Sequence, residues 1–513
     1  MSNYDAIIVG AGHNGLVCAT LLAKAGKRVL VLEANASEGG LGASREFHEG
    51  FQVPMAHGAA SFSSTVLKDL NLAGEGLSFS DALPTVGLSE DGNHVSVVGD
   101  SVTGALEADA AAYPAYRAKL KRYAKVLKSI WESTLPRLGA GGLAESLVYA
   151  KGALNVRMLG RDDMGEFVRV LTLPMRDLID EVFEDPKLQG LLSWDGVIGN
   201  KMAPRSPNNA VLPLLLRMNG LHDGDHCVPN GGMNALNEAL LSAAKKAGVT
   251  IRFDAPVAKF IIEGDENGQR ATGVELASGE ALEASTIVSS ADPKTTFMKL
   301  VGTRHLDIQF TNRINRLRAD GMVAKYHAAL SELPKINGLD DLGGRLLIAP
   351  TFDAIEFAYD DAKYGEASEH PVMEITFPSL QDPSLAPDGK HVMSVNVMYA
   401  PYKEKSGWSD AARSAFLGRV VETLEKYIPG ISSLVIAQEL LTPADLEAEY
   451  HAYGGHWHHG ELSLEQALMM RPTYYAAQYN TPIPGVYLCG AGAHPGGGMT
   501  GLPGRNAARE ILK

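Results

Sequence analysis

The run Gly10-Ala11-Gly12-His13-Asn14-Gly15 lies between a short apolar stretch at 6–9 and a helix-like stretch at 16–25. Its G-x-G-x-x-G spacing is that of a phosphate cradle. Gly10 permits a tight turn, Gly12 lets the backbone approach a pyrophosphate, and Gly15 lets helix and strand pack closely. The helix N-terminus then offers free N–H groups and the positive end of its dipole, here beside His13 and Asn14. Glu33 follows a second apolar run at 29–32. Its carboxylate can accept hydrogen bonds from ribose hydroxyls and would repel a 2′-phosphate. This unit binds a dinucleotide but does not by itself separate FAD from NAD. The following stretch "EANASEGGLGAS" (33–44) favours FAD, because a Gly39-Gly40 turn lets the chain run close along the diphosphate and ribityl region.

Other side chains suggest acid–base work. His57, in "GFQVPMAHGAASF", titrates near neutrality and can orient substrate or act as a base. The segment "HWHHG" carries His456, His458 and His459, yet it lacks the H-x-x-x-H or H-E-x-x-H spacing of a metal helix, so no metal site is expected. Cys18, Cys227 and Cys489 form no C-x-x-C pair and read as buried reduced thiols of a cytoplasmic protein. There is no P-loop. The flavin is therefore expected to carry the chemistry and the protein to position substrate.

These residues need elements to hold them. At 513 residues the chain is too long for one ordinary core. Its 45% hydrophobic and 21% charged content is that of a globular protein. A net charge of −14 argues against nucleic-acid binding and gives no support to contact with anionic lipid. No stretch approaches the ~20 apolar residues of a membrane span. Buried strands are predicted at 6–9, 29–32, 286–288 and 486–489. Residues 110–219 read as mostly helical, with loops at 135–142 and 200–209. A glycine turn and helix precede Gly248, and a small antiparallel meander follows, with a turn cluster at 265–268. Further strands are predicted at 322–330, 372–377 and 392–399, with a helix over 410–427; these strands are candidates for a second sheet roofing a cavity. Trp194, Tyr474 and Tyr475 are candidate walls.

A second glycine-rich turn follows the last apolar run: Gly490-Ala491-Gly492, then Gly496-Gly497-Gly498-Met499-Thr500, with His494 inside it. No ribose acid lies about 20 residues beyond, so a second dinucleotide site is not expected. The stretches "GAGHNGL" (10–16), "PNGGMNAL" (229–236), "IVSSADP" (287–293), "HHGELSLEQALMMRP" (458–472) and "LCGAGAHPGGGMTG" (488–501) span the chain. In them the sequence resembles the phytoene desaturase/carotenoid isomerase-like branch of the FAD-dependent amine-oxidase-like flavoproteins. Within that branch it is most similar to the pyridine nucleotide-disulphide oxidoreductase domain-containing protein 2 group.

The resemblance implies an α/β fold in which a Rossmann-type FAD-binding domain (1–73, 220–300, 475–513) is interleaved with an α+β substrate domain (74–219, 301–474). It implies one non-covalent FAD. The ADP half would lie on Gly10, Gly12, His13, Asn14, Gly15, Glu33 and Ala34, and the diphosphate and ribityl chain along Gly39, Gly40, Gly42 and Ser44. Val257 would meet adenine through its backbone. Gly490, Ala491, Gly498, Met499 and Thr500 would reach the ribityl chain and flavin ring. His57 would pass beside the ring, and His458 and Glu461 match a group motif. His57, His458 and His494 are thus the catalytic candidates. Leu41-Gly42 departs from the branch, where many relatives place an arginine; Arg45 is a candidate to compensate. The expected reaction is hydride removal from a largely apolar small molecule, with reoxidation by oxygen, a quinone or another acceptor. Amine oxidation, flavin-requiring isomerisation and a non-catalytic binding or chaperone role on the same fold stay open.

Overall fold

The computed structural model describes residues 4–137, 143–207, 211–265 and 268–513. Parts of the expected loops (138–142 and 208–210) and of the expected turn (266–267) lie outside the described residues.

Strands from both ends of the chain form one five-stranded parallel sheet, in the order Val486–Leu488, Thr286–Ser289, Ala6–Val9, Val29–Leu32 and Thr250–Arg252. The two strands at 6–9 and 29–32 are apolar throughout because both faces are covered. Helix His13–Lys24 starts three residues before the expected 16. Gly12 is its N-cap, so the glycine turn itself feeds the first helical turn. Gly10 has φ +98°, a conformation that glycine adopts without steric cost.

The C-terminal helix Leu502–Ile511 packs on the N-terminal helix His13–Lys24. A Cβ on Gly504 would lie 2.1 Å from the Asn14 carbonyl oxygen, so glycine is what permits the approach. Pro503 sits in the first turn, where its missing N–H would have no partner in any case. The expected meander is present as Val257–Asp265, Gly268–Leu276 and Ala281–Glu283.

A second sheet has eight strands, ordered Val435–Leu441, Val323–Leu330, His391–Met398, Met373–Thr376, Arg345–Ile348, Thr85–Gly87, Val95–Val98 and Ser101–Thr103. Its central strands alternate, as the pleat requires. Ala324, Tyr326, Ala328, Met373, Ile375, Val395 and Val397 enter an apolar core with Phe416, Val420 and Leu424 of helix Asp410–Tyr427. The intervening positions, Lys325, Glu374, Ser394 and Asn396, take the opposite face and are also buried. That buried polar face is what the fold turns toward the site.

Candidate active site

A single cavity of about 550 Å³ runs from the glycine turn to the polar face of the second sheet. At one end it is lined by Gly10, Gly12, His13, Asn14, Glu33 and Ala34. Gly39, Gly40, Gly42 and Val257 continue that wall, and Ala491, Gly498 and Met499 arrive from the C-terminal turn. His57 and His458 also line it.

The features of this wall fit an FAD. A Cβ on Gly12 would meet no protein atom within 4 Å, so the space beside it belongs to the cavity. The N-terminus of helix His13–Lys24 has no side-chain cap and no acid in its first turn, leaving N–H groups for an anion. Glu33 is held by the Ala11 N–H at 2.7 Å and the Asn35 N–H at 2.9 Å, which fixes its carboxylate while leaving lone pairs for ribose. The two glycine-rich segments meet: a Cβ on Gly42 would lie 3.0 Å from Met499 Cε, and His13 bonds to the Gly498 backbone.

Five candidates lie outside the cavity wall. Gly15 is a packing residue, since a Cβ there would lie 2.1 Å from the Gly10 carbonyl oxygen. Gly490 is likewise pressed on the Ser290 carbonyl, 2.2 Å from where its Cβ would be. The Ser44 hydroxyl is buried without a partner. Thr500 accepts from the Ser63 N–H and from the Leu502 N–H, closing the turn before the last helix. His494 Nε2 is 3.0 Å from the Ile130 carbonyl, and its own carbonyl accepts from Tyr479. These contacts tie His494 to the loop. Arg45 pairs with Glu439 and Glu449, bracing the hairpin Ser44–His48/Phe51–Pro54 against the second sheet. Glu461 is buried beside Arg318, 3.3 Å away, and burial pushes its carboxyl up to about 7.

The other end of the cavity holds a group that motif reading missed. Lys325, Asn396 and Glu374 sit in one row across three adjacent strands. The Glu374 carboxylate takes four donors: His57 Nδ1 at 2.9 Å, Asn396 Nδ2 at 3.0 Å, Trp194 Nε1 at 2.7 Å and Arg345 Nη1 at 3.3 Å. Burial acts to protonate it, but Arg345 and His57 outweigh burial and hold it well below the usual carboxylate range. Asn396, whose Nδ2 donates to Glu374 and lies 3.1 Å from His57 Nδ1, turns Oδ1 to the Lys325 side chain. Lys325 is 1% exposed and lies 5.5 Å from the Trp457 ring centre. Burial lowers its pKa to about 7, although Glu374 opposes the shift.

This network fixes the state of His57. Burial, then the nearby Lys325, lowers its pKa to about 4, so the ring is neutral. Its Nδ1 faces a carboxylate and therefore carries the proton, and Nε2, 2.9 Å from Ser394 Oγ, accepts. With both nitrogens engaged, His57 is a holder of Glu374 rather than a free base. His458 is also neutral, its pKa lowered by burial to about 3.

Residues 15–512 match the family described as flavin containing amine oxidoreductase. The chain belongs to that family. It is 31% identical to the mouse (Mus musculus) pyridine nucleotide-disulfide oxidoreductase domain-containing protein 2, covering 99% of this chain and 93% of that protein. It is 26% identical to a limonene dehydrogenase component of Castellaniella defragrans, covering 99% and 94%. A partial match, 26% identical over 63% of this chain and 61% of the relative, is to a lycopene-forming phytoene desaturase of a Paracoccus species. The fold is that of putrescine oxidase in complex with putrescine (TM-score 0.59, 17% identity, 99% of both chains). FAD is thus the cofactor, and the chain is an oxidoreductase.

Among the described residues no helix is long and apolar enough to cross a membrane. All three cysteines are free and buried.

Proposed function

We propose that this oxidoreductase removes hydride from a C–H bond of a small, largely apolar molecule, forming a C=C or C=N product. What carries the reading is one cavity with a nucleotide cradle at one end and a buried lysine of near-neutral pKa at the other. The five-stranded sheet with its helices holds FAD, and the eight-stranded sheet with the helical segment holds substrate. Bound in the cradle, FAD supplies the two-electron acceptor.

The chain's own residues do the rest. Gly10, Gly12 and the first helix receive the diphosphate, and Glu33 the ribose. Ala491, Gly498 and Met499 close on the same ligand from the C-terminal side. Lys325, half deprotonated near pH 7, takes the proton that substrate releases, and Asn396 holds its Nζ in place. Glu374 orients Asn396, and His57, Trp194 and Arg345 hold Glu374. Trp457, Met55 and Ile198 supply apolar wall that excludes water. Oxygen, a quinone or another acceptor reoxidises the cofactor.

The test is spectroscopic. Purified protein supplied with FAD should show a protein-bound flavin band, and the band should bleach without oxygen when a substrate is added. Failure to bind FAD would overturn the whole reading. Binding of FAD with no reduction by any of a broad set of alkenes, alcohols and amines would overturn the hydride-removal step.

A further inference from the structure

The charged groups at the substrate end can be counted by which of their hydrogen-bonding positions are already used. Glu374 is full, with two donors on each oxygen. Asp195, behind it, takes both Nη groups of Arg345, at 2.6 and 3.0 Å, and lies 3.3 Å from Arg217 Nε. Arg345 spends its remaining donors on the Thr85 hydroxyl. Both carboxylates there are thus already paired with guanidinium groups. Of the other carboxylates on the cavity wall, Glu33 belongs to the nucleotide cradle, Asp292 accepts from the Thr295 and Tyr453 N–H groups, and Glu447, on helix Pro443–Tyr450, bonds to the Tyr402 side chain.

Donors, by contrast, are in surplus. Arg217 lines the cavity and spends Nε on the Gly224 carbonyl, 2.8 Å away, while its Nη2 is buried with no partner. Lys325 has three N–H bonds when protonated and gives one to Asn396. A buried donor left unmade is costly, so an acceptor arriving here gains more than one arriving in water. The formal charges agree. Arg217 and Arg345 cancel Asp195 and Glu374, so Lys325 tips the group positive when protonated. Guanidinium is also the side chain whose planar fork matches a carboxylate.

We propose that the substrate carries a carboxylate on its apolar body, and that Arg217 receives it. This rests on the reading of the cavity as the substrate chamber of an FAD enzyme. It selects organic acids over simple amines and over pure hydrocarbons.

A matched set of ring compounds tests it: cyclohexanecarboxylate, cyclohexanecarboxamide and cyclohexylamine, titrated into the FAD-loaded protein. Binding is read by calorimetry and by the shift of the flavin band. The carboxylate should bind at least about tenfold more tightly than the amide or the amine, as one added charge-assisted hydrogen bond predicts. Arg217→Gln should lower carboxylate affinity by about tenfold or more and amide affinity by less. Arg217→Lys, which keeps the charge without the fork, should fall between. Absence of a flavin band overturns the reading on which this rests. With the band present, any of three results overturns the carboxylate proposal: no carboxylate binding, tightest binding by the amine, or carboxylate affinity unaltered in a folded Arg217 variant. Should Arg217→Gln not fold, the wild-type ranking and Arg217→Lys decide.

Discussion

Lys325 owes its chemistry to its surroundings. Desolvation brings the ammonium down to about 7, into the range where a group can both accept and return a proton. The sign of its pH effect follows. Below about 7 the amine is protonated and cannot take a proton from substrate, so anaerobic cofactor reduction should rise with pH through a limb near 7. Asn396→Asp would put a carboxylate against Nζ in place of an amide oxygen, favour the ammonium, and move that limb to higher pH by about one unit or more. Lys325→Met should keep FAD and lower the reduction rate by about 10²–10⁴, the usual contribution of general acid–base catalysis. A limb that stays in place in Asn396→Asp would show that another group titrates. Glu374 belongs to the same scale but to stability. Glu374→Gln leaves Arg345 with less countercharge and sets an amide N–H among four donors. Denaturant unfolding should show a loss of about 3–5 kcal/mol, as for other broken buried pairs.

At the scale of elements, the glycines of the first turn do two different jobs, and two variants separate them. Gly12 faces open cavity, so Gly12→Val should give a folded protein that no longer binds FAD. Gly15 is pressed on the Gly10 carbonyl, so Gly15→Val should force helix from strand and lower the melting temperature as well. Circular dichroism with FAD titration checks both; FAD binding at wild-type affinity by Gly12→Val would refute the cradle assignment. These glycines were legible in sequence because their signal is local: turn, helix start and ribose acid lie within one strand–helix–strand unit. Three strands of the second sheet, Val323–Leu330, Met373–Thr376 and His391–Met398, were legible too, whereas Arg345–Ile348 and Val435–Leu441 were not expected. Lys325, Asn396 and Glu374 were not. Polar residues alternating with apolar ones read as the wet face of a half-buried sheet, and only the covering layer shows that this face is dry. Lys325 and Asn396 are also 71 residues apart in the chain and meet only through strand pairing. The signal that was available is a lysine followed two residues later by His327, on the same face of a strand whose other residues are aliphatic or aromatic. His494 shows the converse. It stands in a motif, but the motif uses it to fasten a loop to Ile130.

On the scale of the whole molecule, the two glycine-rich ends converge on one cavity. Strand Val486–Leu488 joins the same sheet as strand Ala6–Val9, and the last helix packs on the first. Removing residues 490–513 would therefore strip packing as well as binding groups: Asn506 holds the Trp131 carbonyl and the Tyr479 hydroxyl. Such a truncation tests the fold more than the site. A side chain grown into the cavity from the C-terminal wall isolates the site. Ala491 lines the cavity and is far from the first glycine turn in sequence. If both ends grip one FAD, Ala491→Trp should weaken FAD binding as Gly12→Val does, while far-ultraviolet circular dichroism stays native. The readout is linkage. Free FAD at a hundredfold excess over its dissociation constant should stabilise the wild type by about 2.7 kcal/mol, seen as a melting temperature that climbs with FAD concentration. In Ala491→Trp that climb should flatten over the same range. A folded Ala491→Trp protein whose melting temperature still rises as the wild type's does would mean that the C-terminal turn stands clear of the cofactor, and that the N-terminal cradle binds FAD alone.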